Sequence, residues 1–259
     1  MHMRKKKWAR PELAACPFYT ENGEALRGKW RGCFVRPERE LHVELGCGKG
    51  VSTARMIRDN PETNYVMADL SADVLGCARR NLTEACGEHP DNAMILQTDI
   101  CFIRTVFAPE DRVDRIYIHF CNPWTEHPKH EKRRLTHPRQ LMQYRSFLKD
   151  GGEIWFKTDD DTLFGDSLVY FDLCAFTPVY LSGDLHRDGF TPNWISEHEA
   201  MYMEEGVPIK CAVLRKDPLP GEETMDFTRW RITPGVRKKA LERIAREAGK
   251  PQLFQPEKA

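Results

Sequence analysis

Glu40-Leu41-His42-Val43-Glu44-Leu45-Gly46-Cys47-Gly48-Lys49-Gly50 reads as a short strand ending in an acid, then a glycine-rich turn, then a helix beginning near Val51. Glycines at alternate positions admit positive φ and let the backbone approach a ligand closely. The strand-to-helix turn also aims free backbone N–H groups at that ligand. A dinucleotide fold would use G-x-G-x-x-G, with no required acid two residues before the first glycine. Here the spacing is G-x-G-x-G, and Glu44 is placed to accept hydrogen bonds from a cationic amine. A ligand-free glycine turn is the bland alternative, and the rest of the chain decides between the two.

The chain has 259 residues, with 39 basic and 39 acidic side chains that cancel. Net charge therefore says nothing about nucleic acid; only its distribution does. The basic start at residues 4–10 lacks the apolar run of a signal peptide. No stretch approaches the ~20 apolar residues of a membrane span. Nine scattered cysteines without a C-x-x-C pair fit a reducing cytoplasm, mostly as small core residues. Cytoplasmic localisation is the expectation, as a monomer or homodimer.

From residue 40 apolar strands alternate with amphipathic helices, the pattern of a parallel α/β sheet. Strands are predicted over 41–45, 64–69, 92–97, 113–120, 152–157, 178–182 and 208–215, and helices over 51–58, 72–85, 138–148, 162–173 and 194–205. Ser71 is the expected N-cap of the second helix and Gly151 the expected stop of the third. The domain division is 1–39, a basic arm; 40–215, the α/β domain; and 216–259, an extension carrying one helix over 236–248.

Asp69 closes the second strand, where nucleotide-binding α/β folds place an acid on the ribose hydroxyls. Asp99 ends the third strand, where an acid can accept from an adenine amino group. Acids at strand ends are common singly; three on consecutive strands are far less so. With the E-x-G-x-G-x-G turn, this set resembles class I S-adenosylmethionine methyltransferases. That resemblance implies a Rossmann-like, seven-stranded, mostly parallel sheet with helices on both faces and an antiparallel last strand. The cofactor would be S-adenosyl-L-methionine, held by Glu44, Gly46, Gly48, Gly50, Asp69 and Asp99.

His119-Phe120-Cys121-Asn122-Pro123-Trp124 follows the fourth strand, so Asn122 is expected at the sheet's carboxyl edge. Between 129 and 139 five lysines and arginines stand against one acid. A solvated face is the ordinary reading of such a run, but Trp124 beside it offers a base-stacking surface. The R-K-K-K-W-A-R opening, E-L-G-C-G-K-G, N-P-W…K-H-E-K-R-R-L-T, Lys157-Thr158-Asp159 and Ser196-Glu197-His198-Glu199 together resemble bacterial tRNA (guanine-N7-)-methyltransferases, the TrmB family, over roughly residues 3–215. The resemblance implies methylation of a guanine N7 in the variable loop of tRNA. It places Asn122 among the cofactor residues and, with Asp159, as a catalytic residue. Substrate contacts would fall on Trp124, Lys129, Lys132, Arg133, Arg134, Asp159, Ser196 and Glu199.

Two departures matter. The family usually has Asp where this chain has Asn122, and Glu126 replaces the lysine usual after the tryptophan, a role for which Lys129 is the candidate here. Guanine N7 carries a lone pair and needs no general base, so Asn122 is compatible with turnover through positioning. Other readings are an exocyclic-amine methyltransferase, from the Asn-Pro pair, and a tRNA-binding relative that lost catalysis. Asp159-Asp160-Asp161 is read as a helix start, not a metal site, and no metal is expected. Phe102, Phe107, Phe147, Trp155, Phe156 and Phe171 are read as core or helix-packing residues.

Overall fold

The structure, a computed structural model, describes residues 5–125, 128–219, 233–250 and 253. In chain order the elements are α1 (Ala9–Ala14), β1 (Tyr19–Thr20), β2 (Glu40–Leu45), α2 (Val51–Asp59), β3 (Thr63–Asp69), α3 (Ala72–Cys86), β4 (Ala93–Gln97) and β5 (Val113–His119). There follow α4 (Pro138–Phe147), β6 (Leu148–Thr158), α5 (Asp161–Leu173), β7 (Phe176–Ser182), α6 (Glu197–Glu204), β8 (Lys210–Lys216) and α7 (Pro234–Glu247).

The sheet order is β1-β4-β3-β2-β5-β6-β8-β7. Pairs from β1 to β6 are parallel, while β8 runs antiparallel to both neighbours. All seven expected strands are present, and the expected antiparallel strand is β8. The eighth, β1, comes from the N-terminal segment and adds Tyr19 and Thr20 beside Ile95 and Leu96. Buried on both faces, β2 is apolar at Leu41, Val43 and Leu45 and polar at His42 and Glu44. The first set joins the larger core with residues of α4, α5 and α7; Glu44 points to the other face, toward Thr53 of α2. Strand order reverses between β2 and β5, which opens a crevice at their carboxyl ends.

The N-terminal segment is built into this body. Trp30 is fully buried, stacks on Phe107 at 5.1 Å, and donates its indole N–H to the Val106 carbonyl at 2.9 Å. α1 lies against α3 where Gly76 leaves room for Ala9; a Cβ there would stand 2.6 Å from the alanine methyl. Arg80 covers the Trp8 ring at 3.5 Å.

Two expectations change. Gly151 does not stop α4: the helix ends at Phe147, because Leu148 turns extended to pair with Val113, and Gly151 (φ +72°) lies within β6. Ser71 is the N-cap of α3 by position, but its side chain makes no capping bond. Asp160 does cap α5, accepting from the Leu163 N–H at 2.6 Å, which accounts for the aspartate run as a helix start. Among the described residues no helix is long and apolar enough to cross a membrane.

Candidate functional site

The β2–α2 turn holds Gly46, Gly48 and Gly50 at φ +83°, +55° and +65°, a region that disfavours any side chain. A Cβ on Gly50 would collide with the Met67 methyl and stand 3.1 Å from Ala78, so this glycine serves packing. A Cβ on Gly48 would meet nothing within 4 Å, so that face of the turn is open to a ligand. The Gly48 N–H donates to Asp69 Oδ2 at 3.1 Å, and Asp69 Oδ1 accepts from the Ser71 N–H at 3.0 Å. Burial raises the Asp69 carboxyl, and backbone donors from Ser71, Gly48 and Leu70 act against that rise.

Glu44 is 4% exposed. Its Oε2 accepts a short bond from the Thr53 hydroxyl, and its Oε1 stands 3.5 Å from His119 Nδ1. Burial, then the charge of Lys157, pushes the His119 imidazole down, with Glu44 pulling the other way. No motif in the sequence assigns Thr53 or His119 to Glu44. The available signal was the two-residue period of β5, which puts Tyr117 and His119 on one face.

Beyond Asp69 lies an open groove of about 800 Å³ whose lining includes Leu70, Gln97, Asp99 and Phe102. Asp99 Oδ1 accepts from the Cys101 N–H at 2.9 Å, capping the 3-10 turn Ile100–Thr105 that presents Phe102. Phe102 is 61% exposed and Leu70 62%, so Phe102 is a groove wall and not the core residue expected. Phe107, Phe147, Phe156 and Phe171 are buried as expected, whereas Trp155 is half-buried. Two apolar walls beside a carboxylate suit a flat heteroaromatic ring with an exocyclic amine.

After β5 the chain turns sharply, with Phe120 at φ +51° and Trp124 at φ +48°, both unusual for residues with a Cβ. Asn122 is exposed, and its Oδ1 accepts from the Trp124 N–H at 3.0 Å, closing an Asx turn. Trp124 packs edge-on to His130 at 5.8 Å, with the Arg133 guanidinium 5.0 Å from its ring. The 3-10 segment Pro128–Arg133 leaves Lys129, Lys132 and Arg133 exposed. Arg134 is different: it is 1% exposed, donating to the Pro123 carbonyl at 2.7 Å and to Asp166 Oδ2 at 2.8 Å. A guanidinium spent inside the protein is not a substrate contact, which corrects the expectation for Arg134. Glu126 lies outside the described residues.

On the other side of the crevice, Ser196 caps α6, its Oγ accepting from the Glu199 N–H at 3.1 Å. Glu199 is fully buried. Its Oε2 accepts from Lys157 Nζ at 2.7 Å, its Oε1 accepts from Asn193 Nδ2 at 2.7 Å, and His186 Nε2 lies 3.0 Å from the same Oε1. That imidazole contact is close but misaligned for a hydrogen bond, so we count it as electrostatic. Burial would raise the Glu199 carboxyl; Lys157, Asn193 and His186 bring it below its ordinary value. Glu199 is thus an internal anchor in this conformation, not the open substrate contact expected. Asp159 remains half-exposed beside Tyr202, whose hydroxyl is pushed up by burial and then by the Asp159 charge. Phe120 stacks near His198 and Tyr202, at 6.3 and 6.2 Å. A carboxylate next to these rings can receive the N–H edge of a purine.

The crevice thus brings together Glu44, the glycine turn, Asp69 and Asp99 on one side and Asn122, Trp124 and Asp159 on the other. The family model described as "Putative methyltransferase" matches residues 38–212. The chain is 46% identical over 219 residues to the tRNA (guanine-N(7)-)-methyltransferase of Clostridium perfringens (strain SM101 / Type A), covering 83% of this chain and 100% of that one. It is 47% identical over 220 residues to the protein of the same name from Clostridium botulinum (strain Eklund 17B / Type B), covering 84% and 100%. With the Acetivibrio thermocellus protein of that name the identity is 43% over 219 residues, covering 83% and 100%.

Proposed function

The chain belongs to the tRNA (guanine-N(7)-)-methyltransferase family, and on that premise we propose that it methylates N7 of a guanine in the variable loop of tRNA, with S-adenosyl-L-methionine as methyl donor. The residues fit that donor: the turn is open at Gly48, the Glu44 and Asp69 carboxylates flank it, and the Leu70–Phe102 groove carries Asp99. When bound, S-adenosyl-L-methionine supplies an electrophilic methyl group on a sulfonium.

The observation that carries the reading is the placement of Glu44, Asp69 and Asp99 at the carboxyl ends of three neighbouring parallel strands, across the switch point from Asn122. Glu44 receives an ammonium, Asp69 the ribose hydroxyls and Asp99 the adenine amine. Asn122 offers a carbonyl acceptor where positive charge develops on the purine. Asp159 accepts from guanine N1–H and N2–H, which adenine cannot reproduce. Since N7 bears no proton to remove, rate comes from in-line placement and fixed dipoles. Lys129, Lys132 and Arg133 supply phosphate contacts, with Trp124 as a stacking surface.

Incubation with methyl-labelled S-adenosylmethionine and unmodified tRNA, followed by nucleoside analysis, tests the reading. The expected product is 7-methylguanosine. An exocyclic methylamine, or tRNA binding without product, would overturn it.

A further inference from the structure

α7 lies downstream of residue 212, where the family match ends, yet it is wired to the reaction loop. Leu241, Ile244 and Ala245 bury an apolar stripe of α7 in the core it shares with α5. Two arginines add ion pairs to α5: Arg243 with Asp172, and Arg237 with Asp166, whose Oδ1 lies 2.8 Å from Arg237 Nε in a charge contact not aligned as a hydrogen bond. Asp166 is the same carboxylate whose Oδ2 takes Arg134 Nη1 at 2.8 Å, and Arg134 Nε in turn donates to the Pro123 carbonyl at 2.7 Å. One carboxylate therefore lies between two guanidiniums, one from the extension and one that holds the Pro123–Trp124 peptide.

Gly165 supports this as a built contact. Glycine is a poor helix former compared with alanine, and α5 carries one beside Asp166. A Cβ there would stand 2.7 Å from Arg237 Nη2, so the guanidinium lies directly against the bare backbone of Gly165. Arg237 Nη2 also donates to the Thr162 carbonyl at 3.3 Å. Next to Asp166, Ser167 meets Thr136 at 2.6 Å, tying the segment after Arg134 to the same turn of α5.

We infer that Arg237 is a positioning residue for the Asn122-Pro123-Trp124 loop, acting through Asp166 and Arg134. The catalytic meaning of that loop rests on the proposed function; the mechanical coupling does not. With Asp166 ion-paired to a guanidinium on each side, the carboxylate is held in place, Arg134 is held with it, and the loop keeps its left-handed turns. Loss of Arg237 frees one oxygen to reorient, and Arg134 follows.

Arg237→Gln, Arg237→Lys and Arg243→Gln in the full chain test this. Arg243→Gln is the control, since it breaks an equivalent α7–α5 pair that leads nowhere near the loop. Hydrogen exchange of the peptide spanning residues 120–125 should quicken in Arg237→Gln and stay at the wild-type rate in Arg243→Gln. Single-turnover methyl transfer at saturating tRNA and cofactor should fall roughly 10-fold in Arg237→Gln, as displaced reacting groups do, with cofactor affinity unchanged. Arg237→Lys, which keeps the charge, should recover most of it. Equal behaviour of Arg237→Gln and Arg243→Gln in loop exchange, or no change in either, would overturn the inference. A wild type that forms no 7-methylguanosine would sink the functional reading alone, because the exchange comparison needs no turnover.

Discussion

Lys157 Nζ lies 2.7 Å from Glu199 Oε2, joining β6 to α6 across 42 residues. With exposures of 4% and 0%, the pair has almost no access to water. Burying two charges is costly, and the pair is tolerable because Asn193 bonds both partners, at 2.9 Å to Lys157 and 2.7 Å to Glu199. It fixes α6, and hence His198 and Tyr202, over the end of β6 where Asp159 sits.

The first prediction follows from that burial. Lys157→Met leaves an uncompensated carboxylate and should destabilise the fold by about 3–5 kcal/mol. Glu199→Gln should cost a similar amount. The double variant should lose clearly less than the sum, since neither charge is then stranded. Urea midpoints measure all three; strict additivity would show that the two groups are not coupled.

Cofactor binding gives the second. Glu44→Ala and Asp69→Ala should each weaken S-adenosylmethionine binding by ~1.5–3 kcal/mol, as for bonds to charged groups. Thr53→Val keeps the shape but removes the hydroxyl that orients Glu44, and should lose about 1 kcal/mol. Calorimetry that finds Glu44→Ala and Asp69→Ala binding like wild type would place the donor elsewhere.

The third concerns tRNA. Lys132 and Arg133 are exposed, so Lys132→Ala/Arg133→Ala should flatten the log–log salt dependence of tRNA binding by roughly 1.5–2. Arg134→Ala should instead leave that slope in place and destabilise the loop, because its guanidinium is bound to Pro123 and Asp166. Filter binding across a salt series separates the two; an equal slope change in both variants would contradict the buried role of Arg134.

These cases also mark how far the sequence alone could be read. The strands and helices from 40 to 216 follow from two- and 3.6-residue periods, and the three acids proposed to hold the cofactor from their places at strand ends. Arg134 and Glu199 look like contacts because charged side chains are usually exposed. What buries them is partners brought in by tertiary structure: Asp166, 32 residues from Arg134, and Lys157, 42 residues from Glu199. Phe102 errs in the opposite direction. An aromatic residue after a strand reads as core, and only the 3-10 turn capped by Asp99 shows that it faces outward. β1 is two residues long, too short for any periodic signal.

Acidification is the fourth test. Burial, then Arg115, pushes the His42 imidazole down to about 4 from an ordinary 6.5. The unfolded chain therefore takes up a proton near pH 6.5 that the folded one refuses until about 4. Stability is full above pH 6.5 and falls as the pH drops through that window, by up to about 3 kcal/mol for this one group. The depressed Glu199 carboxyl works in the same sense at lower pH, its contribution being lost as the pH falls through its folded value. Denaturant unfolding from pH 7.5 to 4.5 should show the loss, and His42→Asn should reduce it, the remainder coming from His119 and His137, which burial also pushes down. A wild-type stability independent of pH over that range would refute a neutral buried His42.

The last prediction concerns Asn122. Its Oδ1 closes the turn on the Trp124 N–H at 3.0 Å, a role that a carboxylate oxygen also fills. Asn122→Asp should therefore keep the loop and retain substantial turnover, with a charge better suited to a purine becoming cationic. Asn122→Ala removes both the turn acceptor and the polar group proposed to face the reaction, and should lose ~10²-fold or more. Asp159→Ala should fall comparably by losing the acceptor proposed for the guanine N–H edge. Single-turnover methyl transfer at saturating cofactor and tRNA keeps binding defects from posing as chemical ones. Wild-type rates in both alanine variants would show that reaction occurs elsewhere. An inactive wild type that gains activity only as Asn122→Asp would instead identify a tRNA binder whose chemistry was lost at this position.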